Sequence, residues 1–304
     1  MTANETVHRL ILSINGDDKS SFYRIADQYL ASLSVTGDTY ARIKSAINQK
    51  PKSMMLLSEI SREMKSLLSP IEVSDENVFM PAMVEKFVSD IVTEWSHSEA
   101  YKFHNINVRN KILLHGPTGN GKTTIARHFA RLSNLPYIEI KSDFIIDSHL
   151  GKTAANINKI FSSITEPCVL FWDEIDSIGR RRGDSENGAA GMENERMINS
   201  MLVNMERLHA DVIFIGATNR KNILDSAFLR RFDEVFEISS PTLRQKQEYA
   251  DSLVAYYNLP REFNMPLDKV ADLESYSAIK LLVVSKVRQY ILEGILAKNE
   301  AMYA

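Results

Sequence analysis

Apolar residues change their spacing twice along this chain. In the first fifty positions Phe22, Ile25, Ala26, Tyr29, Leu30 and Leu33 recur at steps of three and four, the stripe of an amphipathic helix. "NGDD" at 15–18 and "TGD" at 36–38 are turn signals, so this part predicts three short helices. A polar hinge, "NQKPKS", follows at 48–53. Further helices are predicted from Met54 to Leu68, stopping at Ser69-Pro70, and from about Pro81 to Ala100.

After residue 110 the period shortens. "KILLHG", "YIEIK", "CVLFWD", "DVIFIGA" and "EVFEIS" are five strand candidates separated by helical stretches. Four are almost continuously apolar, as strands covered on both faces must be. Alternating strands and helices predict βαβ units and a parallel sheet. From about Pro241 the strands stop, and "PTLRQKQEYADSLVAYYN" and "YSAIKLLVVSKVRQYILEGILAK" predict a small helical domain. The expected fold is therefore α/β: a parallel five-stranded sheet with flanking helices, a helical N-terminal module and a helical C-terminal domain. The expected boundaries are 1–50 for the module, 51–71 for a linker helix, 72–240 for the α/β domain and 241–304 for the last.

Composition adds little beyond exclusions. A formal net charge of −3 over 304 residues gives no global field favouring nucleic acid or an anionic membrane. The single cysteine, Cys168, allows no internal disulfide, and no CxxC or HExxH spacing suggests zinc. The N-terminal apolar stretch is too short for a signal peptide, and no run approaches a membrane span. These features predict a cytoplasmic protein without membrane contact.

The chemistry begins at "KILLHGPTGNGKTT". Gly116-Pro117-Thr118-Gly119-Asn120-Gly121-Lys122-Thr123 fits G-x-x-x-x-G-K-[ST], after a predicted strand and before a predicted helix, with Thr124 next in line. Glycines let the backbone curl so that its N–H groups face phosphate oxygens. The helix opening near Lys122 points its positive end at the same spot. Lys122 would meet the β- and γ-phosphates, and the Thr123 hydroxyl would serve Mg²⁺. A second strand ends in Asp173 and Glu174, delivered to the carboxyl edge where such sheets bind ligands. Asp173 suits the metal; Glu174 suits the orientation and deprotonation of water. A third strand ends in Asn219, whose amide suits the water or the γ-phosphate. Arg230 and Arg231 stand side by side between Leu229 and Phe232. Taken alone they fit a solvated surface, since long cationic side chains snorkel.

Phosphate loop, "DEID", "ATN" and "LRRFD", in this order, resemble an AAA+ ATPase, and within that family the branch of FtsH, katanin, spastin and the Cdc48-type remodellers. The resemblance spans roughly residues 72–300. It implies ATP and Mg²⁺ as cofactors, a homo-oligomeric ring, usually a hexamer, and a C-terminal lid domain. It implies further that Arg230 and Arg231 lie at the subunit boundary and reach the neighbour's ATP. Many members carry Pro-Gly between the two arginines; this chain does not. Thr118 and Asn120 stand where Pro and Thr are usual. "SYSAIK" replaces a Ser-Gly-Ala-Asp pattern, and the second-sensor arginine is absent, with Lys280 nearby.

In that branch an aromatic-hydrophobic-glycine triplet grips polypeptide in the pore. His149-Leu150-Gly151 aligns with it, and Arg180–Arg182 falls where a second pore loop belongs. Function is expected to be ATP-driven remodelling or unfolding of a protein substrate. The alternative is a nucleotide-switched scaffold, loader or regulatory ATPase serving a separate effector or a partner on nucleic acid. Against nucleic acid itself, no basic stripe with interleaved aromatics is present.

Overall fold

A computed structural model describes residues 67–73, 79–142, 152–178, 189–260 and 267–303. The N-terminal module, the loop with His149, Leu150 and Gly151, and the run Arg180–Arg182 lie outside the described residues.

Six strands form one sheet: β1 (Leu68–Ile71), β2 (Lys111–His115), β3 (Tyr137–Ile140), β4 (Val169–Trp172), β5 (Ile213–Thr218) and β6 (Glu234–Glu237). Their order is β1-β3-β4-β5-β2-β6. All neighbours are parallel except β1, which runs antiparallel to β3 with Leu68 opposite Ile140. The five expected strands are present. β1 is an addition: a predicted helix was to run to Leu68 and stop at Ser69-Pro70, yet these residues are strand. Proline is tolerated because β1 is an edge, where a missing N–H costs no ladder bond.

Strand alternation sorts the core into two layers. Ile112 and Leu114 of β2, Val169 and Phe171 of β4, and Ile213 and Ile215 of β5 pack together on one face. They meet α1 (Ala82–Ser96) through Val84, Val88 and Ile91, and α3 (Lys122–Ser133) through Ile125 and Phe129. Leu113, Leu170, Trp172 and Phe214 point the other way. They pack with Ile157 and Ile160 of α4 (Lys152–Ser163) and Met201 and Met205 of α5 (Ala189–Arg207). With both faces covered, the sheet can place polar chemistry only at its strand ends.

Between α1 and β2 comes the short α2 (Ser98–Phe103). A further short helix, α6 (Ser226–Leu229), precedes β6, its N-terminus capped by Asp225 accepting from Ala227 and Phe228 N–H. The C-terminal domain holds α7 (Leu243–Tyr256), the short α8 (Leu267–Ala271) and α9 (Tyr276–Tyr303). α7 opens with a capping box between Thr242 and Gln245. Ala250, Leu253, Val270, Ile279 and Val283 form its separate small core.

Arg109, just before β2, ties the rear of the α/β domain together. Its guanidinium pairs with Glu94 of α1 and, at 2.8 Å, with Glu234 of β6. The Arg109 hydrogen bond holds the Glu94 carboxyl below its ordinary pKa, against a smaller opposing effect of burial. A depressed carboxylate stabilises the fold above its unfolded pKa and loses that contribution as pH falls through the folded value. We expect Arg109→Met to destabilise by about 1–3 kcal/mol at pH 7, since partly buried charges lose their partner. The gap to wild type should narrow as pH falls below the ordinary glutamate range near 4.3 and on through the depressed Glu94 value, where the wild-type carboxylate is protonated too. Urea unfolding at pH 7 and pH 3 checks this; a gap independent of pH would exclude the pair as its source.

Candidate functional site

The loop between β2 and α3 is built from backbone that side chains would obstruct. Gly116 has φ +145°, and a Cβ there would lie 2.0 Å from the Ile238 carbonyl oxygen just past β6. Gly121 is left-handed at φ 88° and caps the N-terminus of α3. The loop is thus pinned between β6 and the helix it feeds.

Lys122 is 7% exposed. Its ammonium donates to Gly116 O at 2.8 Å, Pro117 O at 3.0 Å and Asn219 Oδ1 at 2.5 Å. All three N–H donors are therefore engaged. Burial lowers its pKa, while Asp173 and Asp176 oppose the shift. Asn219 reaches the lysine because β5 pairs directly with β2, His115 standing opposite Thr218. Thr123 Oγ1 donates to Asp173 Oδ2 at 3.2 Å. A hydroxyl and a carboxylate side by side are hard oxygen donors of the kind Mg²⁺ takes. So Lys122, Thr123, Asp173 and Asn219, from three separate strand ends, lie together.

Glu174 follows Asp173 with φ 52° and ψ 42°. The other described non-glycine residues at positive φ are all asparagines: Asn105, Asn134 and Asn258. Asparagine tolerates this region; a glutamate held there costs on the order of 1–3 kcal/mol and such strain concentrates at functional sites. The conformation turns the chain sharply after β4 and leaves Glu174 exposed.

Supporting contacts were not visible in the sequence. Trp172 Nε1 donates to Ser142 Oγ at 3.1 Å, and Ser142 Oγ donates to the Asp173 carbonyl at 3.0 Å. Thr218 Oγ1 donates to Asp176 Oδ1 at 2.7 Å and accepts from Arg220 N–H at 2.9 Å. The last acid of "DEID", Asp176, thus fastens the turn after β4 to the end of β5, beside Asn219. No local signal announces either link, because each joins residues far apart in sequence.

The C-terminal domain closes on the same loop. Ser277, in the first turn of α9, directs both its N–H and its hydroxyl at Gly119 O, each at 3.1 Å. Phe79, Tyr249 and Tyr276 gather with ring centroids 5.0–6.0 Å apart, joining the segment before α1 to the lid. Beside them opens a cavity of about 260 Å³, whose walls include Val84, Asn120, Ile125 and Ile238. Lys280 is exposed and lines a neighbouring polar cleft with Arg127, His128 and Arg131.

Arg230 and Arg231 separate. Arg231 pairs with Glu206 of α5 at 2.7 Å, and its Nε is buried without a partner. Arg230 is exposed and has no acidic partner among the described residues. Neither bonds to Lys122, Asp173, Glu174 or Asn219 of its own chain.

Comparison with known proteins agrees with this architecture. Residues 112–240 match the family described as "ATPase family associated with various cellular activities (AAA)". A Sinorhizobium fredii protein named "Uncharacterized AAA family ATPase y4kL" is 30% identical over 95% of this chain and 92% of its own length. The ATP-dependent zinc metalloprotease FtsH of Parabacteroides distasonis is 32% identical over 58% of this chain, which spans 27% of that protein. The peroxisomal ATPase PEX6 of Rattus norvegicus is 36% identical over 46% of this chain and 15% of its own. With the relation to y4kL nearly end to end, and with relatives among remodeller-type ATPases, this chain belongs to the AAA family and is an ATPase.

Proposed function

We propose that the chain forms a ring, hexameric in the manner the family resemblance implies, and uses ATP hydrolysis to remodel or unfold a protein partner. The observation that carries the reading is the split between the arginines. Lys122, Thr123, Asp173 and Asn219 lie together within one chain, while Arg230 is exposed with no acidic partner among the described residues.

In this reading the N–H groups of Gly116–Thr124 cradle the phosphates, and Lys122 turns from its carbonyls toward the β,γ-oxygens. Asn219, released from Lys122, holds the γ-phosphate or the attacking water. Thr123 and Asp173 would hold Mg²⁺, which neutralises phosphate charge and aligns the oxygens. Glu174 takes a proton as water oxygen bonds to Pγ. The bond from Pγ to the β,γ-bridging oxygen breaks, leaving ADP and phosphate. Arg230 of one subunit neutralises charge on the neighbour's γ-phosphate. Arg231, held by Glu206, positions the segment. The domain plan follows: residues 1–50 recruit partners, 51–71 link, 72–240 hydrolyse and 241–304 move as the lid. His149, Leu150 and Gly151 touch the substrate in the pore. Among the described residues no helix is long and apolar enough to cross a membrane.

Lys122→Ala should abolish ATP binding, because a charged phosphate contact is lost in a shielded cradle. In wild type, phosphate needs the protonated ammonium, whose pKa burial has lowered in the free protein. Affinity should therefore fall as pH rises, starting below the ordinary lysine range near 10.4. Calorimetric titration from pH 7 to 10 reads both; undiminished binding by the alanine variant would sink the site. Glu174→Gln should bind ATP but turn over about 10²-fold or more slowly. Near-normal turnover would remove Glu174 as base.

The arginines give a sharper comparison. Arg230→Ala should leave ATP affinity intact while turnover drops about 10³-fold, as loss of a trans arginine does. Arg231→Ala should cost much less, since its contact is a surface pair with Glu206. Mixing Arg230→Ala with Lys122→Ala subunits should restore activity above the sum of the two. Equal loss from both single variants, or no recovery in mixtures, would refute this assignment.

Substrate handling is tested with Glu174→Gln as a trap. Proteins captured with ATP should stimulate wild-type turnover, and His149→Ala should abolish that stimulation while basal turnover stays within about threefold, because its contact is apolar packing rather than chemistry. Equal stimulation of both proteins would favour the scaffold or loader alternative instead.

A further inference from the structure

An open groove of about 570 Å³ begins where Asn219 meets the phosphate loop. The polar side chains of its wall are His115, Asn219, Lys221 and Asn222; Gly116, Pro117 and Leu229 complete it, and no acid takes part. Gly116, Pro117 and Asn219 are the same residues whose oxygens hold the Lys122 ammonium. The groove therefore starts directly beside that cation.

Lys221 stands in this groove, exposed and with no acidic partner among the described residues. Its ammonium reaches His115 Nε2 at 3.3 Å, past the ordinary range of such bonds. An ammonium can only donate, so Nε2 is the acceptor and carries no proton. Burial lowers the His115 pKa, and the charges of Lys221 and Lys122 lower it further against the pull of Glu237. The ring is thus neutral at pH 7 and above. A solvated lysine is common by itself. One held only by a long bond to a neutral imidazole, in a groove without acids, can turn to an anion without giving up a salt bridge. As it turns, it uncovers the lone pair of His115.

We propose that this groove receives the inorganic phosphate released by hydrolysis, with the Lys221 ammonium donating to a phosphate oxygen and His115 Nε2 accepting from the hydroxyl of the phosphate. The inference rests on the reading that Lys122 and Asn219 hold the γ-phosphate. As HPO₄²⁻ the product carries one hydroxyl and three further oxygens. The hydroxyl answers the imidazole lone pair. The other oxygens answer the ammonium and the amide N–H groups of Asn219 and Asn222. An ionised γ-phosphate still joined to ADP has no hydroxyl to give. The pairing with His115 therefore favours product over substrate, because a lone pair facing a bare oxygen stays unpaired.

The test is inhibition of ATP turnover by inorganic phosphate and by sulfate, using the full chain as wild type, Lys221→Ala, Lys221→Arg and His115→Phe. The assays run at equal ionic strength and about pH 8, where His115 is neutral. Each inhibition constant is read against the same variant's affinity for ADP, so a general weakening of the site cancels. Phosphate should inhibit wild type about threefold or more better than sulfate, which has the same charge but no hydroxyl for His115. His115→Phe should erase that preference. Lys221→Ala should weaken both anions alike, by about fivefold, the yield of an exposed charge contact, and Lys221→Arg should restore most of it. Three results overturn the proposal: no inhibition of wild type by phosphate, equal inhibition by phosphate and sulfate, or inhibition that Lys221→Ala leaves unchanged. Lys122→Ala separates the two ways of failing. If it still binds ATP, the γ-phosphate reading falls and the groove with it. If it loses ATP while Lys221→Ala keeps the wild-type response to phosphate, only the groove falls.

Discussion

A buried ammonium must be surrounded by oxygen, and Lys122 organises the rest of the site around that requirement. Taking its charge out of water is tolerable only with every N–H engaged. The partners come from Gly116, Pro117 and Asn219. Two belong to the loop; the third stands just past the end of β5, about a hundred residues later. That third bond exists because the sheet inserts β5 between β2 and β4. The topology thus puts the amide carrier next to the phosphate loop and the acidic turn one strand beyond, with Thr123 bridging to Asp173 across the gap. A ligand oxygen that takes over the lysine also frees the asparagine, so occupancy of the loop and the pose of Asn219 are coupled through one cation.

The lid is coupled to the same loop from the opposite side of the sequence. Ser277 bonds to Gly119 O, and the three rings of Phe79, Tyr249 and Tyr276 join the domains. These contacts are few beside the continuous cores on either side of them. A hydrogen-bonded serine and a cluster of tilted rings can be rearranged at much lower cost than a close-packed interior. The two cores are thus joined by a thin polar-aromatic seam beside the phosphate loop. Differential contacts at such a seam are the condition for a ligand to shift lid position.

Sequence pattern was sufficient for the elements whose information is local. The five parallel strands are runs of apolar residues, and the phosphate loop is a contiguous motif followed by its own helix. Asp173 and Glu174 end a strand, so their placement at the sheet edge needed no tertiary knowledge. β1 was missed because four residues containing a proline carry too little pattern, and its pairing with β3 supplies the rest. Ser142, Asp176 and Thr218 were missed for another reason: their roles come from hydrogen bonds across 30 to 42 positions.

The arginine pair shows the same limit and what lies past it. In sequence the two cations are equivalent. In the structure α6 ends at Leu229, Arg230 caps it in helical conformation, and the chain turns at once toward Phe232, which packs against Phe228 and Phe214 in the core. Phe232 and Phe228 bury their rings on either side of the pair, so little freedom remains for the backbone between. With no Pro-Gly to lengthen the turn, adjacent residues must send their side chains in different directions. Arg231 finds Glu206 on α5; Arg230 is exposed, with no acidic partner among the described residues. Shortening the segment therefore turns two cations alike in sequence into one paired with Glu206 and one exposed, and an exposed guanidinium beside an anchored one is what an incoming anionic partner would meet first.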